Sequence, residues 1–331
     1  MPIRRAPAAL ATALLTAAAL ATTTATPAGA GATAPADAAA LAGATAPVSA
    51  NAAVFPPLRK HLIASYDFEH PVRGDAARER DLGRSGTVID LVNGGAAMRV
   101  RDGRGHAVQL GQRTPDAPSA DDWKAGVYSA SGVRSLRAFG SARGATVMGW
   151  FKMTGTNPSP NSNTARPDDT YNAVGLAGLL TGDSEGHAVR ALLEVIEVSG
   201  TLRVVALGRR LDGGASQTFA ADEDWRSVLP QNTWVHLAAT FDYDTGRMAL
   251  YKNGRPLPGF LTVGGDPWKL EGAPEPDAAS STVPRGIKIG GSYPQNTREG
   301  NPCNCRMDGL MFLDRTISDR EARLQYRFAG R

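Results

Sequence analysis

Two glutamates in one β-forming run, Glu194 and Glu197 within residues 188–198, are the first place to look for chemistry. A glycoside-cleaving pair needs carboxyl groups ~5 Å apart to retain configuration or ~6.5–9.5 Å apart to invert it. Residues three apart in an extended strand point to opposite faces, so this pair fails on geometry unless a bulge intervenes. A second set is aromatic. Trp123, Trp225 and Trp268, with Tyr171 and Tyr293, lie in polar, loop-like surroundings. An exposed ring can cover the apolar face of a pyranose while polar neighbours bond its hydroxyls; a ring in a long loop can also simply pin that loop to the domain. Trp150 and Trp234 sit in apolar runs and read as core. Cys303 and Cys305 are the chain's 2 cysteines. A Cys-x-Cys pair rarely reaches disulfide geometry without strain, and two thiols alone are too few for a structural zinc site. A local bridge and two free thiols both stay open. Phosphate-loop and zinc-helix motifs are absent from the sequence.

The elements that must position these groups are strands. Short runs of β-formers cut by Gly, Asn, Asp and Pro fall at 62–68, 107–110, 146–153, 188–198, 202–207, 233–241, 247–252, 287–290 and 306–313. Asp244-Thr245-Gly246 turns one hairpin, and Asn253-Gly254 makes the next turn because both positions tolerate positive φ. Val235, Leu237, Ala239 and Phe241 share one face of their strand by alternation, which leaves His236 on the other as a packed or hydrogen-bonded residue. Ser318 caps a short C-terminal helix with Glu321 as its capping-box partner. Many short strands and one terminal helix predict an all-β, two-sheet antiparallel jelly-roll sandwich.

The amino-terminal sequence carries Arg4 and Arg5, an uncharged apolar run over 8–21, and small residues around Ala28-Gly29-Ala30. That order predicts a secretory signal peptide over 1–30 and a secreted, extracellular protein. Residues 31–55 are almost entirely Ala, Thr, Pro, Gly and Ser and read as a disordered spacer, leaving 56–331 as one domain. Membrane insertion is not expected, because the apolar run falls short of the ~20 residues a spanning helix needs. The net charge of +4 includes the two leader arginines, and the remaining basic residues are scattered along the sequence, so nucleic acid is not an expected partner.

Read in order, several segments resemble the laminin-G-like domains of the concanavalin-A-like lectin and glucanase superfamily. They are the opening strand 63–69, the Gly-rich loop 90–95, the strands 105–111 and 145–152, the run from Asn232 to Asp242 with its continuation 250–254, and 307–318. Departures are the insertions 113–127, 157–169 and 268–284, where loops of such length would carry ligand specificity. The resemblance implies a carbohydrate-binding, lectin-like protein whose partner is a polysaccharide or glycoconjugate. Its alternatives are a glycoside hydrolase or polysaccharide lyase on the same fold, and an adhesion domain that binds protein. It also implies a calcium site, with Asp90 and Asp308 at the family's acidic positions and Asn93 adding its amide oxygen. Ca²⁺ takes six to eight oxygen ligands, so carbonyls and waters would have to complete that shell.

Overall fold

The β-formers do assemble into strands, and alternation decides what each strand buries. In the computed structural model the described residues are 53–91, 98–103, 105–111, 125–129, 131–155, 174–180, 189–210, 217–262, 285–290 and 303–330. They belong to one unit, Pro47–Arg331. The expected leader over 1–30 and most of the spacer lie outside them.

Two antiparallel sheets form the sandwich. The smaller has eight strands. From one edge these are β15 (Arg255–Leu257), β14 (Met248–Lys252), β13 (Val235–Asp242) and β8 (Gly144–Met153). β18 (Cys305–Leu313), β6 (Gly105–Leu110) and β5 (Met98–Asp102) follow, and β1 (Leu62–Tyr66) pairs with the later half of β18. The larger sheet has ten strands. It begins with β16 (Gly259–Leu261), β12 (Gln217–Ala221), β11 (Thr201–Arg210), β10 (Val189–Val198) and β9 (Val174–Leu180). It continues through β17 (Arg285–Ile289), β7 (Ala125–Ser129), β4 (Ile89–Asp90), β3 (Asp75–Glu79) and β2 (Pro71–Val72). β7 uses the end of a segment read from sequence as an insertion.

Between the sheets lies the main core. Val235, Leu237, Ala239 and Phe241 of β13 face it, together with Ala191, Leu193 and Val195 of β10 and Ile287 and Ile289 of β17. Burying a side chain such as Phe241 contributes roughly 1.5–3 kcal/mol relative to leaving it in water. The sequence's alternation is thus realised, and His236 points outward as expected. Cys303 and Cys305 are fully buried at the edge of this core and form a disulfide, which decides between the two states left open.

Part of the smaller sheet's outer face is covered. A 3-10 helix, Pro56–His61, and the C-terminal helix Asp319–Phe328 bury Met148, Ala238, Tyr251 and Met311 in a second apolar cluster. The capping box of Ser318 and Glu321 is present. Asn253 and Gly254 adopt positive φ of 52° and 72°, as their turn requires. A Cβ at Gly254 would also meet Arg323 Cα at 2.8 Å, so the turn needs glycine to pack on the helix. The Gln325 side chain accepts from Phe55 N–H at 2.8 Å and donates to the Ala53 carbonyl at 2.9 Å. Residues 53–55, read from sequence as the end of the spacer, are therefore packed onto the domain.

Candidate functional site

The part of the smaller sheet's outer face that these two helices do not cover carries a group of aromatic and charged side chains. Position on the strand dictates it: Val235, Phe151 and Met307 point into the core, so Trp234, Lys152 and Arg306 point out. Trp234 is half-buried. Its indole Nε1 donates to Asp102 Oδ1 at 3.2 Å, and Lys152 Nζ stands 5.3 Å from its ring centroid. Lys152 Nζ and Arg306 Nη1 each lie 2.7 Å from Asp102 Oδ2. Arg306 Nε also donates to Gln109 Oε1 at 2.8 Å, and Gln109 is fixed by bonds to the Leu110 and Cys305 carbonyls. Burial alone would raise the Asp102 carboxyl, but bonds from Lys152, Arg306 and Trp234 outweigh it and hold its pKa at about 2. Asp102 is thus a fixed acceptor beside a half-buried ring.

Deeper on the same face, His236 and Trp150 meet edge-on with ring centroids 5.3 Å apart, and Tyr326 of the C-terminal helix leans on both. His236 Nδ1 and Trp150 Nε1 are buried without a hydrogen-bond partner. Burial pushes the His236 pKa down to about 4. Trp150 is core in the sense of being buried, but it lies under the helix and not between the sheets.

Sequence reading placed Trp234 in the core, yet its own alternation with Val235 was the signal that it faces out. Trp225, expected as an exposed loop ring, is 3% exposed and belongs to the main core, with Arg226 over it at 4.9 Å. Its helix, Trp225–Val228, turns the apolar side of the segment inward and leaves the charges outside. Trp123, Tyr171, Trp268 and Tyr293 lie outside the described residues.

Glu194 and Glu197 part company. Glu194 pairs with Val205 on the outer face of the larger sheet and is 2% exposed, whereas Glu197 pairs with Leu202 on the core-facing side and is exposed. The irregularity beside Glu194 falls in β9, not in β10, so the two carboxylates stay on opposite faces.

The calcium set is also separated. Asp90 follows the core residue Ile89 and faces out from the larger sheet, where Arg78 Nε lies 3.3 Å away. Asp308 faces out from the smaller sheet, paired across from Trp150, and accepts from its neighbour's N–H at 2.6 Å. Groups on the two outer surfaces of a sandwich cannot share one ion. Asn93 lies outside the described residues. A different group, Asp67, His70 and Glu79, has ligand atoms within 4.8 Å of one another. Its donors are occupied: Asp67 Oδ1 is 2.8 Å from His70 Nδ1, and Glu79 accepts from His70 N–H and pairs with Arg99. Burial pushes Glu79 above its ordinary value against the pull of Arg99 and the His70 amide. The group ties the β1–β2 loop and the two sheets together around the buried, positive-φ Phe68, and with a guanidinium in place it does not suit an all-oxygen calcium shell.

The class these features define is an antiparallel β-sandwich. No family model and no curated protein sequence matches the chain. Among solved structures, the chain is similar to the binding domain of Paraclostridial Mosquitocidal Protein 1, at 12% identity and a TM-score of 0.44, covering 81% of this chain and 52% of that one. It is similar to a botulinum neurotoxin type C structure at 11% identity and a TM-score of 0.48, covering 83% and 53%. It is also similar to Trypanosoma rangeli sialidase in complex with the inhibitor DANA, at 16% identity and a TM-score of 0.42, covering 80% and 32%. The chain spans about half the length of those toxin structures and about a third of the sialidase. Likeness of this degree does not transfer a ligand, because one architecture hosts many functions.

Proposed function

We propose that this chain is an exported glycan-binding sandwich of the laminin-G-like type, and that its binding face centres on Trp234. The observation that carries the reading is the half-buried Trp234 ring held beside Asp102, Lys152, Arg306 and Gln109 on one sheet face. The ring offers an apolar surface of sugar-ring size, and the neighbours offer fixed acceptors and charged donors for hydroxyls. Asp102, kept ionised, serves as an acceptor and not as a general acid. Separation of Glu194 from Glu197 speaks against that pair as hydrolytic acid and base.

A glycan array, run with calcium and with chelator and followed by product analysis on the hits, tests the reading. Binding without products is expected, unchanged by chelator since Asp90 and Asp308 are on different faces. Trp234→Ala should weaken retention by about 30-fold, the effect of removing a ~2 kcal/mol aromatic anchor. Full binding by a normally folded Trp234→Ala protein would sink the site, and released products would favour the enzyme. Export is checked by N-terminal sequencing of secreted material, which should begin between residues 31 and 53.

A further inference from the structure

Away from the Trp234 face, a cleft of about 640 Å³ is lined by Arg84, Arg134 and Arg137, with Ser85 and Ser135 between them. Its two walls are built independently of any ligand. One wall is the segment that runs beside β1, where Leu82, Arg84 and Ser85 N–H donate to the Ser65, Leu62 and Ile63 carbonyls at 2.9, 3.2 and 2.9 Å. Asp81 anchors that segment by accepting from Ser65 and Gly83 N–H, both at 2.7 Å, and from the Ser85 hydroxyl at 2.6 Å. The other wall is the 3-10 helix Arg134–Ser141, seated by buried Leu136 and Phe139. Thr87 Oγ1 donates to Ser135 Oγ at 2.7 Å and staples the walls together.

Charge in the cleft is unbalanced. In a 3-10 helix residues i and i+3 eclipse, so Arg134 and Arg137 project from one side, and both are exposed. Neither has a carboxylate partner among the described residues. Arg84 is partly neutralised, with Nη2 on Asp314 Oδ2 at 2.5 Å, and His61 Nδ1 holds the other oxygen of that carboxylate at 2.9 Å. The Asp81 oxygens are taken up by the backbone and Ser85. Guanidinium forks are shaped for two-pronged contact with carboxylate or sulfate.

We propose that this cleft binds the anionic groups of an acidic polysaccharide, sulfate esters or uronic carboxylates, as a second subsite. The choice of polymer rests on the glycan-binding reading above; the anion preference rests on the cleft alone. Two arginines without a carboxylate partner among the described residues and one shared one, all around a single open cleft, do not make the continuous basic stripe that follows a phosphate backbone.

The test measures binding of the full chain to dextran sulfate, polygalacturonate and uncharged dextran over a salt series. The wild type, Arg134→Ala/Arg137→Ala, and a control, Arg143→Ala, are compared; Arg143 lies outside the cleft against Asp244. The wild type should bind at least one of the two polyanions, which one distinguishing sulfate from carboxylate, and should ignore dextran. The double variant should bind at least about tenfold more weakly, with the slope of log K against log salt reduced by about two. It should keep the Trp234-dependent binding found on the array. Equal binding by the double variant and the control overturns the proposal, as does a wild type that binds neither polyanion. A thymidine oligomer bound more tightly, with the same arginine dependence, also overturns it, in favour of nucleic acid. Polyanion binding that survives when no array glycan is retained supports the cleft while removing the Trp234 site.

Discussion

Lys152 and Arg306 converge on one carboxylate oxygen of Asp102, whereas Arg134 and Arg137 face a cleft in which no carboxylate among the described residues pairs with either. Both regions hold cations around polar side chains on the same sandwich. In the first the charges satisfy one another and fix the orientation of Trp234. In the second, hydroxyl and backbone bonds tie the walls together, and Arg134 and Arg137 have no carboxylate partner among the described residues. A paired network is sensitive to the loss of any member, because what remains is desolvated and unmatched. Unpaired exposed arginines cost the fold little and are free to answer to something outside it.

The strongest way to press this contrast is through pH. His236 lies on the network's face, and its pKa of about 4 when folded sits below the ~6.5 of an exposed imidazole. Between those values the unfolded chain binds the extra proton, so stability is complete above about pH 6.5 and falls as pH drops towards 4. The shift corresponds to about 3 kcal/mol. Urea unfolding of wild type and His236→Asn at pH 7 and pH 4.5 should show a larger acid loss in the wild type. Asp102 and Glu321, both held at about 2, titrate below this window. Equal acid losses would remove His236 as the cause.

Next in size is Asp102→Ala, which leaves Lys152 and Arg306 without their shared anion at a site where their side chains are 16% and 29% exposed. A loss of ~1–3 kcal/mol is expected in chemical denaturation, together with weaker glycan retention as Trp234 loses its brace. Restoring stability with Asp102→Asn would show that the bond to Trp234 matters more than the charge. Smallest is the effect of Arg134→Ala/Arg137→Ala on the fold. Its melting temperature should stay at the wild-type value, within what ~0.5 kcal/mol produces. A clear drop would mean that the arginines are structural and would collapse the distinction between the two regions.

Glu79 shows how a charge can be structural without being local. It faces the core from the larger sheet, fully buried, and Arg99 from the smaller sheet pairs with it. Nothing in the spacing of residues 79 and 99 indicates that they close the sandwich between its two sheets. The same holds for the disulfide: Cys303 and Cys305 left their state open until the chain was seen to carry both into the core.

Local chemistry made much of the architecture readable from the chain alone. Alternation assigned Val235, Leu237, Ala239 and Phe241 to the core and His236 to the other side, and it would have placed Trp234 outside had it been followed one residue further. Asn253-Gly254 and the Ser318–Glu321 box specified a turn and a helix start, because each depends on bonds and torsions within a few residues. Tertiary structure alone decided that Asp90 and Asp308 face out from different sheets and that Trp225 is buried. It alone gathered Arg84, Arg134 and Arg137, which looked scattered along the sequence, into one cleft. Periodicity fixes which side of its own strand a residue takes, but the partners it meets there depend on strand order and on chain closure between distant segments, and no short-range pattern encodes those.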